Sequence, residues 1–219
     1  MPLFSLSEPD NVVQAHLSEA GVSNEEARQY RHIYKDCVFL DKVKGEVHMD
    51  EVISMILDGF EQVVDAGVLS REPCMKLKVS LVDTKLHEDA IHRGPAQMYP
   101  AIREGIRGAM MQAGPIMFEP LQVMRIETPN EYVGEISKLV SSKRGQLLEM
   151  NQEGDITVVK SKLPVGELFG WSNDLRSATA GRGNSSLVDQ MFERLPGELQ
   201  EKIKSQIVSR KGLSSGQVS

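Results

Sequence analysis

From residue 121 onward the order in which strands and helices follow one another restricts the fold more than any other property of the chain. Strands are read over residues 121–127, 146–150, 156–162 and 186–192, and helices over 131–140 and about 166–177. Glu153-Gly154-Asp155 supplies a tight turn between the second and third strands. The succession is βαββαβ, the ferredoxin-like order, and right-handed crossovers place both helices on one face of a four-stranded antiparallel sheet. A last helix over 196–210, with Leu199, Ile203 and Ile207 at four-residue spacing, needs a surface to pack on.

The first half reads differently. Residues 25–34 are polar and favour a helix, and 50–65 carry Val52, Ile56, Phe60, Val63 and Val64 on one helical face, with Gly67 as the stop. Residues 76–86 alternate Leu77, Val79 and Leu81 with Lys76, Lys78 and Ser80, as a half-buried strand does. Residues 95–113 form an amphipathic helix through Met98, Ile102, Ile106 and Met110, opened by Pro95 and ended by Gly114-Pro115. A change of character near Phe118-Glu119-Pro120 divides the chain into domains over 1–119 and 120–219. The fold class is therefore α+β with two domains, each long enough to bury a core.

Between the 76–86 strand and the 95–113 helix lies Leu86-His87-Glu88-Asp89-Ala90-Ile91-His92-Arg93-Gly94-Pro95-Ala96-Gln97. Two histidines, two acids and an arginine sit there on a loop whose ends are held by regular structure, a place where a polar group can be presented. A zinc-protease reading needs His-Glu-x-x-His, with histidines four apart on one helical face. Here His87 and His92 are five apart, which on a helix separates them by about 140°. No third ligand is evident, so no metal site is expected.

Other chemistries are constrained too. No Gly-x-x-x-x-Gly-Lys-[Ser/Thr] occurs, so GTP binding is not expected of this chain. Gly181-Arg182-Gly183 is a glycine-rich connection and too weak a pattern for a phosphate cradle. Cys37 and Cys74 lack CxxC spacing and suit a reducing cytosol as small hydrophobic side chains. No apolar run approaches a membrane span, and the first residues lack the basic start and long apolar core of a signal peptide. The net charge of −6 argues mildly against nucleic acid, although Lys85 and Arg93, Lys143-Arg144, Arg176, Arg182 and the terminal Lys202, Lys204, Arg210 and Lys211 form local basic groups. An RNA-recognition module would stack bases on strand aromatics, and the strands over 121–127 and 155–162 have none.

The loop and several spaced motifs carry a resemblance. Leu86-His87-x-Asp89-Ala90-Ile91-His92-Arg93-Gly94 is similar to the loop signature of translation elongation factor 2, and Pro95-Ala96 looks like its archaeal form. Glu131-Tyr132-Val133-Gly134 through Ser142-Lys143-Arg144-Gly145, Leu163-Pro164-Val165 through Phe169-Gly170, Asp174-Leu175-Arg176-Ser177 and Lys211-Gly212-Leu213 follow the family in order. The resemblance covers roughly residues 24–213.

It implies the family's fourth and fifth domains: a ribosomal-protein-S5-domain-2-like α/β domain, then the ferredoxin-like sandwich with its C-terminal helix folding back toward the first. It implies that His92 is the residue converted to diphthamide and reaches the decoding centre, with Asp89, Arg93, Gly94 and Pro95 shaping its loop. Lys143 and Arg144 are candidate RNA contacts. The implied role is non-enzymatic on this chain, as the ribosome-engaging part of a monomeric cytoplasmic factor. GTP and magnesium would be held by an upstream part, and GTP hydrolysis would drive translocation of tRNA and mRNA. Implied partners are ribosomal RNA, tRNA–mRNA, diphthamide biosynthesis enzymes and ADP-ribosylating toxins, and no membrane. Two alternatives stay open: a stand-alone ribosome- or RNA-binding protein with these domains, and a metal-dependent enzyme using His87, Glu88 and His92.

Overall fold

The computed structural model describes residues 18–19, 22–45 and 48–213. Two compact units emerge: one runs to Pro115 and includes the chain from Lys202 onward, and the other is Ile116–Glu201. The division thus falls at 115/116 rather than at 119/120. Phe118, Glu119 and Pro120 already belong to the second unit's first strand, where they pair with Arg194, Glu193 and Phe192.

In the first unit a short helix α1 (Asn24–Arg28) is capped by the Ser23 hydroxyl, which accepts the Glu26 N–H at 3.2 Å. Strands β1 (Tyr30–Tyr34) and β2 (Cys37–Asp41) form an antiparallel hairpin, and β3 (Lys78–Leu81) lies parallel to β2. The helix expected over 25–34 therefore stops at Arg28. Tyr30, Ile33 and Tyr34 are β-favouring side chains with a partner strand available, and pairing outweighs the weaker helical preference of the polar residues before them.

Helix α2 (Met49–Asp65) connects β2 to β3 and buries Met49, Val52, Ile56, Phe60, Val63 and Val64 along one face. Those side chains meet Cys37 and Phe39 of the sheet and Ile106 of helix α3 (Pro95–Gln112), with Met98, Ile102 and Met110 packed at the edge. Helices α2 and α3 approach closely at Gly59, where an added Cβ would stand 2.6 Å from Ile102 Cγ2. Two cross-links align them: Tyr99 Oη donates to Asp58 at 3.0 Å, and Arg103 donates to Gln62 at 2.9 Å. Cys37 is buried and Cys74 half-buried, both as free thiols, and burial pushes the Cys74 thiol up to about 11. Neither is poised as a thiolate nucleophile.

The second unit comprises β4 (Phe118–Pro129), α4 (Val133–Ser142), β5 (Gln146–Glu153), β6 (Ile156–Pro164), α5 (Trp171–Ala178) and β7 (Asn184–Arg194). The sheet order is β5-β6-β4-β7 with every pair antiparallel, the ferredoxin-like arrangement. Its core joins Met124, Ile126, Val159 and Leu163 of the sheet to Ile136, Val140, Trp171 and Leu175 of the helices. Trp171 is held there by its indole N–H, which donates to Ser185 Oγ at 3.0 Å. The helix expected over about 166–177 is broken: Val165–Glu167 is a 3-10 turn, and Gly170 at φ +78° redirects the chain before α5 begins. Only a residue tolerant of the left-handed region makes that corner without strain.

Helix α6 (Gly197–Arg210) half-buries Leu199, Ile203 and Ile207, the three residues at four-residue spacing. Lys211, just beyond it, donates to the Ser70 and Arg71 carbonyls at 3.2 and 2.8 Å and pairs with Glu72 at 2.7 Å. One ammonium thus satisfies a turn more than a hundred residues away. Lys211→Met is expected to lower the first unit's unfolding free energy by about 1–2 kcal/mol, because three acceptors lose a charged donor that is partly exposed. A urea titration measures this; an unchanged midpoint would show that the anchor contributes nothing.

Among the described residues, no helix is long and apolar enough to cross a membrane.

Candidate functional site

After Leu81 the chain leaves the sheet. Leu81's carbonyl still accepts the Lys42 N–H at 2.8 Å, but β2 ends at Asp41, so the strand expected to reach residue 86 loses its partner. Val82 is accordingly exposed. From His87 to Arg93 the chain forms a loop built from local hydrogen bonds. The Asp89 N–H donates to His87 Nδ1 at 3.0 Å, and Asp89 Oδ1 accepts the Ile91 N–H at 3.1 Å. The Asp89 carbonyl accepts the His92 N–H at 3.1 Å, closing a 3-10 turn over Ala90–Arg93. Aspartate suits this position because its short side chain can bond the backbone two residues ahead.

Gly94 comes next in extended conformation, φ −73° and ψ 163°, and its carbonyl accepts from Gln97 and Met98 to start α3 with Pro95 in the first turn. That backbone is open to any residue, and a Cβ on Gly94 would meet the end of the Gln97 side chain at 3.3 Å and the Ile91 carbonyl at an ordinary 3.9 Å. The exit direction is thus set by Pro95 and the helix start rather than by glycine's conformational freedom.

The loop displays His87, Ile91 and His92. Both histidines are exposed. Their rings meet edge to face with centroids 4.5 Å apart. Ile91 is 72% exposed beside them.

Arg93, read from sequence as a basic residue near the tip, is instead 7% exposed and turned inward. Its Nη1 donates to the His87 and Glu88 carbonyls at 2.5 and 2.6 Å. Its Nε and Nη2 donate to Glu51 Oε2 at 3.2 and 2.7 Å. Glu51 stands in the first turn of α2 and also receives His48 Nδ1 at 3.0 Å on its other oxygen. The Arg93 hydrogen bonds, then that of His48, hold the Glu51 carboxyl below its usual range. Neither His48 nor Glu51 is suggested by the loop motif. Forty-two positions separate Glu51 from Arg93, and an acid in a first helical turn is ordinary in itself.

The remaining sequence candidates lie elsewhere. Lys143 pairs with Asp174 at 2.8 Å. Arg144 binds both Glu119 oxygens, at 3.2 and 2.8 Å, and Glu167 at 3.0 Å. These carboxylates, Glu119 foremost, raise the Arg144 guanidinium further above its ordinary value. Arg182 is engaged by Glu131 and lies over the Tyr132 ring. Lys85, near the loop, is exposed. A shallow depression on the second unit's sheet is lined by Arg125, Glu149, Asn151, Glu153, Val158, Lys160 and Val188, with no aromatic for base stacking. Among the described residues, no group of three or more His, Cys, Asp or Glu is placed to hold a metal ion.

The chain has two α+β units, the second ferredoxin-like, with a histidine-bearing loop on the first. Residues 5–114 match the family described as elongation factor G, domain IV, and residues 116–203 match elongation factor G C-terminus. The chain belongs to this elongation factor family. It is 46% identical over 204 residues to elongation factor 2 of Methanocaldococcus jannaschii, covering 93% of this chain and 28% of that protein. Elongation factor 2 of Nanoarchaeum equitans is 43% identical over 213 residues, 97% of this chain and 29% of the relative. Elongation factor 2 of Pyrococcus furiosus is 46% identical over 201 residues, 92% and 28% respectively. The chain therefore spans between a quarter and a third of the length of these archaeal relatives.

Proposed function

We propose that this chain is the ribosome-engaging part of a cytoplasmic, archaeal-type elongation factor 2, acting in GTP-dependent translocation of tRNA and mRNA. The observation that carries the reading is the loop: an exposed His92 sits on a turn fastened from behind by a buried arginine, in the residues that resemble the family's modified loop. The loop's role is to deliver a chemical group and not to catalyse. Asp89 closes the turn, Arg93 joins its two arms, and Pro95 starts the helix that carries the load away.

Diphthamide on His92 would supply fixed positive charge and hydrogen-bond donors that a plain imidazole lacks at neutral pH, which suits contact with RNA backbone beside the codon–anticodon helix. The fit on this side is good. The exposed His92 ring meets the His87 ring edge to face, and its backbone N–H is held at 3.1 Å from the Asp89 carbonyl. GTP and magnesium, in this reading, belong to an upstream part of the factor. Diphthamide biosynthesis enzymes and diphtheria-type toxins are the partners that would act on the loop, and the factor would work as a monomer. Lys143 and Arg144 remain proposed RNA contacts, with the condition that RNA must compete with Asp174, Glu119 and Glu167.

A crosslinking experiment tests the placement. A photoreactive amino acid at Ile91, exposed beside His92, is expected to crosslink the chain to small-subunit decoding-centre RNA on archaeal ribosomes. Crosslinks confined to other ribosomal regions would overturn the translocase reading and favour a stand-alone ribosome-binding protein.

A further inference from the structure

We propose that Glu51 is a positioning residue for His92, acting through Arg93, so that helix α2 sets the shape in which the loop is displayed. The proposal rests on the reading of His92 as the presented group. It assigns a function to a residue that lies outside the loop motif.

The geometry makes the case. Arg93 comes directly after His92, and its guanidinium uses one nitrogen on the carbonyls of His87 and Glu88, on the opposite arm of the loop. Those bonds tie the two arms together across the tip. By themselves they leave a cation at 7% exposure facing only neutral acceptors. Glu51 supplies the counter-charge through two donors converging on one carboxylate oxygen, at 3.2 and 2.7 Å. Charge-assisted bonds of this kind are roughly twice as strong as neutral ones, and removing one partner leaves the other as an uncompensated buried charge. An arginine so stranded turns outward to water, and in doing so releases the His87 and Glu88 carbonyls. The loop then loses the tie that sets the His87 and His92 rings 4.5 Å apart.

An ordinary helix-capping role for Glu51 makes a different demand. It would stabilise α2 and leave the tip unchanged, because the turn's own bonds, from Ile91 N–H to Asp89 Oδ1 and from His92 N–H to the Asp89 carbonyl, do not involve it.

The test uses the whole chain as Glu51→Ala and Glu51→Gln, the second keeping an acceptor of the same shape without the charge. Three readouts are taken by NMR: the contact between the His87 and His92 imidazoles, amide exchange at Ile91 and His92, and amide exchange along α2. In Glu51→Ala the ring contact is expected to vanish and exchange at Ile91 and His92 to quicken about tenfold or more, the scale of one lost charge-assisted bond. Exchange in the middle of α2 stays as in the wild type, and Glu51→Gln falls between the two. An unchanged tip in Glu51→Ala overturns the proposal, and so does equal quickening of tip and helix, which would mark Glu51 as a plain stabiliser.

A second arm keeps the proposal separate from the reading it rests on. Wild-type and variant chains are produced in a host with the diphthamide pathway and offered toxin and NAD. With the brace lost, the rate of His92 labelling at limiting toxin should drop about tenfold, in step with the opening seen by NMR. Wild-type chain that is never labelled would refute the His92 reading while leaving the NMR result on the brace intact. Labelled wild type with full-rate labelling of Glu51→Ala would refute the positioning role alone.

Discussion

His92→Ala is expected to abolish ADP-ribosylation of the chain by diphtheria-type toxin, while its melting temperature stays within about 2 °C of wild type, as for a surface substitution. The five histidines differ in how free they are to be acted on. His32 hydrogen-bonds Glu61 at 2.7 Å, and His48 bonds Glu51 at 3.0 Å. His87 accepts the Asp89 N–H through Nδ1 and is thereby part of the turn, and His16 lies outside the described residues. His92 combines exposure with a fixed backbone, and its ring meets that of the exposed His87. Removing it should leave the turn standing, since Asp89, Ile91 and Arg93 make the bonds that shape it. The measurement is mass mapping of protein made in a host with the diphthamide pathway. Labelling that persists in His92→Ala, or loss of the fold on that substitution, would show that this histidine is not the presented group.

How much of the fold and the loop was legible in the sequence depends on the range of the interaction concerned. The βαββαβ order was readable because each element and the turns around it are short and local, and the sheet order comes from short, right-handed connections. The α2 face was readable for the same reason: Val52, Ile56, Phe60 and Val63 repeat at helical spacing. Misreadings cluster where a pairing partner outside the segment decides the outcome. Tyr30–Tyr34 became a strand because Cys37–Asp41 was there to pair with it, and the 76–86 strand shortened because β2 ran out.

The charged residues carry the same lesson into the site. Arg93, counted among the local basic groups and named as a shaper of the loop, is a buried tie whose carboxylate stands forty-two residues away on another helix. Arg144, a candidate RNA contact, is clasped by Glu119 and Glu167, twenty-five and twenty-three residues distant, and the motif that holds it names neither acid. A net charge of −6 argues mildly against nucleic acid and says nothing of which cations are paired with acids. Family motifs drew attention to the His92 loop. They gave no sign of Glu51, because an acid in the first turn of a helix is too common to be a signal.

Phe60→Ala is expected to have the largest effect on stability, and to have it in one unit only. Phe60 is fully buried, meets Phe39 with ring centroids 5.5 Å apart, and sits among Val52, Ile56, Val63, Val64 and Ile106. Truncating a buried phenylalanine costs about 3–5 kcal/mol, from lost transfer energy and from a cavity that neighbours fill only in part. Domains are held by about 5–15 kcal/mol in total, so the first unit should lose a large share of its stability and its midpoint should fall by more than about 10 °C. The second unit has its own core, and the chain's one tryptophan, Trp171, is buried in it. Tryptophan fluorescence therefore reports that unit alone, and its transition should keep its midpoint while far-ultraviolet circular dichroism gains an earlier step. Labelling of His92 should disappear at the temperature of that earlier step, because the loop is strung between β3 and α3 and braced from α2, all of which stand on the Phe60 core. Loss of both transitions together would show that the units do not hold their folds independently. A first-unit midpoint that did not move would show that its core is not organised around Phe60.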